Sequence, residues 1–275
     1  MLKIERSLLL NSKLIYFKIN IMATFKKHLA VFESASDYEA FKSSEEFVTP
    51  NVSLCRNEHK LHYNAKVEET NDPFNGHAYV DLGLPSGTLW ASAPLTSSEG
   101  EALYFQWGDT EGWTAEQVQN GEKSFAWYCS DYKWSEGEFQ IDGSSFTKYN
   151  AADGKVVLDL EDDAAHVHMG GDWHMPMKEQ LEELTANTTS TWTTINGVNG
   201  MLLTSKANGN SVFVPAFGNV SDGGVYNVGS SGYVCSSSVN EEYLYNAWSL
   251  NFYSSYLDVS NSTRSSGQVV FGVVG

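Results

Sequence analysis

The chain has 275 residues, of which 41% are apolar and 13% aromatic, a composition that can bury a large core and does not favour disorder. Its 34 acidic residues outnumber the 17 basic ones and give a formal charge of −17. Nucleic acids and anionic membranes require a basic footprint, so this charge argues against both as partners. We expect a ligand that is neutral, cationic or a protein.

The N-terminal residues 1–21 are basic and partly apolar, but their only apolar run ends at Leu10, where three polar residues follow. A secretory signal needs about 7 to 15 continuous apolar residues and a membrane helix about 20. We therefore predict neither a clear signal peptide nor membrane insertion. Residues 1–21 are interpreted as an extension that is disordered or absent from the natural product, and the first domain is expected to begin at residue 22.

A small module is predicted at residues 22–66. Residues 27–32 have strand character, Ser34 offers an N-cap for a short helix, and apolar residues alternate on both sides of the polar turn at residues 56–59. The pattern indicates a ββ-plus-helix module, which could attach the chain to a larger particle or join it into a homo-oligomer. Residues 67–76 are rich in turn formers and make a linker.

The larger domain is predicted at residues 77–275, where short apolar runs alternate with clusters of Gly, Ser, Asn and Asp. Two segments look helical. Leu160–Met169 has three acidic residues in its first turn and two glycines after it, and Pro176–Asn187 begins with proline and places apolar residues on one face. Two short helices among many short strands predict an α+β domain.

Several stretches of this domain occur together in a fixed order: Tyr79–Trp90, Tyr104–Gly108, Leu158–His166, Gly170–Pro176, Thr191–Gly200, Asn210–Ala216 and Ser236–Ser238. In these stretches the chain resembles the Fibrobacter-type major paralogous domain of gut bacteria and their phages. The resemblance implies a fold similar to C-type lectins and to the formylglycine-generating enzyme, with a ligand surface on the last strands. It also implies a protein of a phage virion, such as its tail or fibre, or of the bacterial surface. Because fold does not fix function, the site must be argued from its residues.

The segment from Asn219 to the C-terminus has a composition unlike the rest of the chain, with 13 Ser, six Tyr, six Asn, one Arg and no Lys or Pro. Tyrosine gives a large amphipathic contact area at low entropic cost, while Ser and Asn supply adaptable hydrogen bonds. Within it, three apolar residues, Trp248, Leu250 and Phe252, alternate with Ser249, Asn251 and Tyr253. This period of two predicts a strand with one core face and one exposed face.

The resemblance further implies a variable protein of a diversity-generating retroelement, in which adenine-directed mutation rewrites a C-terminal segment. The candidate ligand-binding and diversified positions are Tyr226, Asn227, Glu241, Tyr243, Tyr245, Asn246, Ser249, Asn251, Tyr253, Ser255, Tyr256, Asp258, Asn261 and Ser265. The ligand is expected to be a protein or a glycan on a cell surface, bound without a cofactor. The alternative is that these polar strands and loops are a solvated surface without function.

A metal site could be drawn from five residues, Asp162, Asp163, His166, His168 and His174. We prefer a simpler interpretation, in which the acids complement the N-terminus of a helix and the histidines lie near its C-terminal end. The Glu-Pro-Asn and Trp-Asn-Asp triplets of calcium-dependent lectins do not occur in the sequence. Any sugar binding is therefore expected to need no metal.

Two other functions compete with binding. A formylglycine-generating oxidase would need a reactive cysteine pair. Cys129 and Cys235 could meet in space, but Lys133 is the only basic residue near Cys129 in the sequence that could favour a thiolate. Of the three cysteines, Cys55 included, none lies in a metal-ligand spacing. A structural or assembly component of a virion or cell surface is the other alternative. We predict a non-catalytic ligand-binding protein.

The tryptophans could form a carbohydrate-stacking platform, but most of them stand among apolar neighbours, which favours core packing. This core set comprises Trp90, Trp107, Trp127, Trp173 and Trp192. Trp113 and Trp134, which stand among Glu, Gly and Lys, are the better candidates for exposed rings.

Overall fold

The computed structural model describes residues 74–126 and 131–275 in full, and in the preceding part of the chain it describes the backbone of five strands. The chain divides into two compact units, Met1–Asp72 and Pro73–Gly275. This division lies inside the predicted linker at residues 67–76.

The N-terminal unit contains one antiparallel sheet with strand order β1-β2-β3-β5-β4. Its strands are β1 (Arg6–Leu9), β2 (Ser12–Ile19), β3 (Phe25–Val31), β4 (Ser53–Cys55) and β5 (Lys60–Lys66). The pairing of β4 with β5 across residues 56–59 confirms the predicted hairpin. The helix predicted to begin at Ser34 lies outside the described residues.

Strands β1 and β2 fall within residues 1–21, which the sequence analysis interpreted as an extension. The apolar run in this segment is too short for a signal peptide or a membrane helix, but it is long enough for a strand. A strand needs only about five residues, and the alternation of Leu14, Tyr16 and Lys18 with β-branched and aromatic neighbours suits a pleated strand. Of the polar residues that follow Leu10, Ser12 and Lys13 begin β2 and pair with Leu9 and Leu8 of β1.

The C-terminal unit is mixed α+β, as predicted, with most of its strands in small antiparallel sheets. One sheet has the order β10-β9-β8 and a second the order β13-β14-β15; a third, β16-β7-β6, joins the end of the chain to the start of the unit. The strands are β6 (Tyr79–Asp81), β7 (Leu89–Ala91), β8 (Thr188–Ile195), β9 (Val198–Ser205), β10 (Ser211–Pro215), β11 (Asn219–Ser221), β12 (Gly224–Tyr226), β13 (Ser231–Val239), β14 (Asn246–Tyr253), β15 (Tyr256–Thr263) and β16 (Val273–Val274).

The first predicted helix starts later than the acidic run suggested. Leu160–Asp162 forms a single 3₁₀ turn, and the α-helix α2 spans Ala164–Met169. Asp163 is the residue that caps α2, because its side chain accepts a hydrogen bond from the backbone N–H of His166 at 2.9 Å. The helix ends at Gly170, whose φ of +66° suits glycine.

The second predicted helix, α3, spans Lys178–Asn187 and begins two residues after Pro176. Its apolar residues Leu181 and Leu184 are fully buried, as their spacing predicted. A further short helix, α1 (Ala115–Gln119), was not predicted. Its signal was a Thr114-to-Gln117 capping box, in which each side chain bonds the other residue's backbone N–H.

The core of the C-terminal unit contains the fully buried rings of Trp90, Trp107 and Trp173, as the apolar neighbours of these residues predicted. Trp192 is only partly buried, and Trp127 lies outside the described residues. Trp113 and Trp134 were expected to be exposed, but both are half-buried and pack against the core. Tryptophan carries enough apolar area to be drawn inward even when its sequence neighbours are polar.

Candidate functional site

The candidate site is built on the β13-β14-β15 sheet, in which β14 is the central strand. The register places Tyr253 opposite Tyr256 on β15, and Asn251 opposite both Asp258 on β15 and Tyr233 on β13. Directly opposed residues of antiparallel strands point to the same side of a sheet. These five side chains therefore share one side, which we call the tyrosine face: Tyr233, Asn251, Tyr253, Tyr256 and Asp258.

Two tyrosines dominate the exposed part of this face. The rings of Tyr253 and Tyr256 stack with centroids 5.0 Å apart and an interplanar angle of 11°, while 46% and 38% of the two residues remain exposed. The Tyr256 hydroxyl donates to Asp258 Oδ2 at 3.4 Å. Partial desolvation and the nearby charge of Asp258 raise the pKa of Tyr256, so its phenol remains a neutral donor at physiological pH.

Two further candidates lie at the same end of the sheet. Tyr226 is exposed at the end of β12, and Asn227 follows it with φ +62°, a conformation that asparagine tolerates better than most residues. The backbone carbonyl of Asn227 accepts a hydrogen bond from the N–H of Ser231, which is the β13 residue opposite Tyr253. We call this region, with the β14–β15 turn at Ser254 and Ser255, the tip of the sheet.

Three candidates lie instead in the loop between β13 and β14, at the opposite end, which we call the base. The side chain of buried Asn240 accepts hydrogen bonds from the N–H groups of Glu242 and Tyr243 and so fixes the loop. Glu241 and Tyr243 are exposed, and Tyr243 meets Tyr245 edge to face at 6.1 Å. An eight-residue strand separates tip from base by about 20 Å, so the candidates form two groups.

The remaining candidates are not part of an exposed surface. Ser249 and Ser265 are fully buried, which contradicts their prediction as exposed positions. Ser249 Oγ instead donates to Asn251 Oδ1 at 2.8 Å. Asn246 and Asn261 lie on the other side of the sheet, half-buried, and bond to each other at 2.6 Å.

Trp248 was predicted to be a core residue, but it is only partly buried. The Nζ atom of Lys178, in the first turn of α3, lies 4.1 Å from the centre of its ring. Leu250 and Phe252, on the same side of β14, are fully buried as predicted. The alternation identified the correct side of the strand, but it could not show that this side becomes exposed towards the base.

An open pocket of about 430 Å³ lies beside the tip, between the β14–β15 turn, α3 and strand β8. Its lining includes Thr188, Ser190, Trp192, Ser254, Ser255 and Tyr256. Only Ser255 and Tyr256 were among the predicted site residues. The missed signal was on β8, where Thr188, Ser190 and Trp192 recur with the period of two that places them on one side of a strand.

The base of the sheet is held by Arg264, the only arginine after Asn219. Its guanidinium is fully buried between the rings of Trp107 and Phe146, 4.6 and 4.5 Å from their centres. Its Nη2 atom donates to the carbonyl of Tyr149 at 2.6 Å. Burial lowers the pKa of this guanidinium, which stays charged at neutral pH because arginine titrates far above it. Arg264 therefore acts as a structural anchor.

Asp162, predicted as part of the acidic first turn, forms the centre of an ion-pair cluster. It lies 3.0 Å from Lys133 Nζ and 2.6 Å from Lys148 Nζ, and it accepts a hydrogen bond from the Tyr149 hydroxyl at 2.7 Å. Burial alone would raise the pKa of Asp162, but these hydrogen bonds hold it below its usual value. Asp159 and Glu161 lie close by and also pair with Lys148. The lysines thus neutralise the acidic cluster.

The three histidines considered as metal ligands each bond a backbone carbonyl. His166 Nδ1 lies 3.0 Å from the carbonyl of Trp173, His168 Nε2 lies 2.8 Å from that of Thr110, and His174 Nδ1 lies 2.9 Å from that of Met175. The carboxylates that converge in the described part of the chain are a different set, Asp159, Glu161 and Asp162. The helix-capping interpretation fits Asp163 and not Asp162.

Cys235, one of the two cysteines considered for an oxidase, is buried in β13. Burial raises the pKa of its thiol to about 12, which is opposite to the change that a reactive thiolate requires. Cys129 lies outside the described residues.

Comparisons with protein-family models, with curated proteins and with solved structures find no match for this chain. In the part of the chain that the structure describes, no helix is both long enough and apolar enough to cross a membrane. The candidate site therefore stands on its own geometry and on the sequence motifs.

Proposed function

We propose that this chain is a non-catalytic ligand-binding protein, an adhesin or receptor-binding protein, that contacts its ligand through the tip of the β13-β14-β15 sheet. The observation that carries the proposal is the stacked and exposed pair of Tyr253 and Tyr256. Stacking holds both rings in place before binding, so less side-chain entropy is lost when a ligand covers them. Exposed, pre-ordered tyrosines are typical anchors of recognition surfaces.

The fold proposed for residues 77–275 is C-type-lectin-like, as the resemblance to the Fibrobacter-type major paralogous domain implies. The motif at Tyr79–Trp90 forms β6 and most of β7, and β7 pairs with the C-terminal strand β16. The motif at Gly170–Pro176 connects α2 with α3. The resemblance implies a ligand surface on the last strands, and we assign this surface to the tip.

A retroelement that rewrites the 3′ end of the gene would preserve the fold only where side chains can change freely. Exposure supports diversification at the tip and in the loop of the base, at Tyr226, Asn227, Glu241, Tyr243, Tyr253, Ser255, Tyr256 and Asp258. It does not support diversification at buried Ser249 and Ser265. Sequencing the locus tests this idea, since a reverse-transcriptase gene and a near-copy of the 3′ end that differs at adenines are both expected.

The binding proposal is tested with the purified chain and a Tyr253→Ala, Tyr256→Ala double variant on arrays of surface glycans and of cell-surface proteins. The double variant should lose the ligands that the unchanged protein retains. Tyr79→Ala is a matched control, because Tyr79 is 45% exposed and its ring also stacks, on Phe74 at 4.2 Å, but it lies on β6. Equal loss in the control and the double variant would refute the assignment to the tip.

A further inference from the structure

The pocket beside the tip differs from the tyrosine face in both shape and chemistry. It is concave, and its volume of about 430 Å³ lies within the range of roughly 300–1,000 Å³ that is typical of small-molecule sites. It adjoins the tyrosine face through Tyr256. A ligand that lies on the face could therefore place one end group in the pocket.

The lining of the pocket is polar but uncharged. Among the described side chains that line it, none is Asp, Glu, Lys or Arg, although 19% of the chain is charged. Hydroxyl groups come from three elements: Thr185 from α3, Thr188 and Ser190 from β8, and Ser254, Ser255 and Tyr256 from the β14–β15 hairpin. A charged ligand group would lose its water here without gaining an opposite charge, which is costly.

Several of these hydroxyls remain available to a ligand. Thr188 Oγ1 donates to the carbonyl of Leu184 at 2.7 Å, which leaves its lone pairs free to accept. In the described part of the chain, the hydroxyls of Ser190, Ser254 and Ser255 bond no protein group, and all three residues are exposed. The pocket thus offers both donors and acceptors at several points around a cavity.

Trp192 supplies the apolar surface. Its ring is partly exposed in the pocket while another part packs against Phe252, with ring centroids 6.4 Å apart. A half-buried indole held by the core gives a fixed flat surface against which the apolar face of a ring can lie. A flat apolar surface surrounded by uncharged hydroxyls complements a ring that has C–H groups on its face and hydroxyls at its edge.

We infer that this pocket binds a neutral sugar ring, the end group or an internal unit of a surface glycan, without a metal ion. The inference rests on the proposed ligand-binding function and assigns a ligand class to the site next to the tyrosine face. The ring lies against Trp192, and its hydroxyls bond Ser190, Ser254 and Thr188. The net charge of −17 also favours a neutral ligand, because it repels acidic sugars.

The test uses the full chain and simple sugars, with saturation-transfer NMR to detect contact and a fluorescence titration to measure affinity. The probes are the methyl glycosides of glucose, galactose, mannose and N-acetylglucosamine, with N-acetylneuraminic acid and glucuronic acid as anionic counterparts. At least one neutral probe should bind and the anionic probes should not. Binding should persist in EDTA. The inference is overturned if no neutral probe binds, or if the anionic probes bind as well as the neutral ones.

Two variants locate the bound sugar. Ser190→Glu adds a longer side chain to the pocket from an exposed position of β8 and should weaken binding about tenfold or more, because this side chain occupies the space that the sugar ring needs beside Trp192. Trp192→Phe should weaken binding less, since a smaller flat ring remains. Ser92→Glu is the matched control at an exposed serine after β7, and it should leave the affinity unchanged. Equal affinity of the Ser190→Glu variant and the unchanged protein would overturn the inference.

The failure of this inference can be told apart from failure of the proposed function. Tyr253 belongs to the tyrosine face and is not among the residues that line the pocket. If array ligands depend on Tyr253 but no simple sugar binds, the tyrosine face is retained as the binding site and the sugar pocket is rejected. If sugars bind, and bind more weakly to the Ser190→Glu variant, while Tyr253→Ala changes nothing on the arrays, the sugar pocket is retained and the tyrosine face is rejected as the binding site. Capture of short peptides in place of sugars, also lost in Ser190→Glu, would overturn the sugar assignment.

Discussion

The two ends of the β13-β14-β15 sheet are built from the same residue types and use them differently. At the tip, Tyr253 and Tyr256 are exposed. Their rings stack on each other, and the Tyr256 hydroxyl donates a hydrogen bond to Asp258. Towards the base, several serines are buried, and the hydroxyl groups of Ser236 and Ser238 bond the backbone. For example, Ser238 Oγ accepts the N–H of Lys178, and Ser236 Oγ accepts the N–H of Ser238, both at 3.0 Å.

This difference shows that a composition rich in Ser, Tyr and Asn has two physical uses. Exposed hydroxyl groups can be exchanged without loss of structure, whereas the buried hydroxyl groups of Ser236 and Ser238 satisfy backbone groups that would otherwise lack a partner. The base is further anchored by Arg264, which bonds Tyr149, and the hydroxyl of Tyr149 bonds Asp162. The base therefore holds the sheet, and the tip remains free to bind.

The largest expected effect is that of Phe252→Ala, which removes the ring beneath the tip. Phe252 is almost fully buried, and its ring packs directly over Gly232 of the neighbouring strand. The free energy of unfolding should fall by about 3 to 5 kcal/mol, measured by urea denaturation. Trp248→Ala is the comparison, because that half-buried ring should cost less, about 1 to 2 kcal/mol. Equal losses would mean that Trp248 belongs to the core.

The next largest effect concerns Asp162, which is linked to Arg264 of the base through Tyr149. Asp162→Asn leaves Lys133 and Lys148 without their buried carboxylate and should lower the free energy of unfolding by about 2 to 3 kcal/mol, less than for a fully buried pair because both lysines are partly exposed. Tip-dependent binding at neutral pH should survive in the folded variant. Loss of binding without loss of stability would contradict the separation of base from tip.

The shifted pKa of Asp162 also makes the free energy of unfolding depend on pH. The folded state holds the pKa of Asp162 below its usual value, which is about 3.9 in an unfolded chain. The ion pairs therefore contribute their full stabilisation above about pH 5, and the contribution is lost as the pH falls below about 4 through the folded pKa. The stability difference between the unchanged protein and Asp162→Asn should be constant at neutral pH and should shrink in acid. If the difference in unfolding free energy between the two proteins grows in acid, the pKa of Asp162 is raised in the folded state and not lowered.

The sequence predicted the α+β class, the burial of Trp90, Trp107 and Trp173, and both longer helices, because these depend on apolar spacing and on end signals such as Pro176 and Gly170. It also placed Leu250 and Phe252 correctly on the buried side of β14. It failed where burial depends on a distant element. Trp248 is only partly buried next to α3, and β8 contributes Trp192 to a pocket whose other wall lies more than 60 residues later.

Ser249→Ala is a smaller test at a position where the sequence predicted exposure. It removes a buried hydroxyl and its hydrogen bond to Asn251, and it should cost about 1 kcal/mol in thermal unfolding. Ser255→Ala, in the exposed turn at the tip, should change stability by less than about 0.5 kcal/mol. If the two variants are equally stable, the buried and exposed serines are interchangeable and the distinction between them fails.

Tyr253→Ala should have only a small effect on stability, and it is the most informative change for function. The change removes an exposed ring whose main partner is Tyr256, so the unfolding free energy should fall by no more than about 0.5 to 1.5 kcal/mol. Ligand binding on the arrays should nevertheless be lost, because a recognition surface draws most of its affinity from a few aromatic anchors. The Tyr253→Phe variant keeps the stacked rings, so it should be as stable as the unchanged protein and should retain part of its ligand binding. A Tyr253→Ala variant that unfolds would instead make this tyrosine part of the core, and the tip would then serve the fold as the base does.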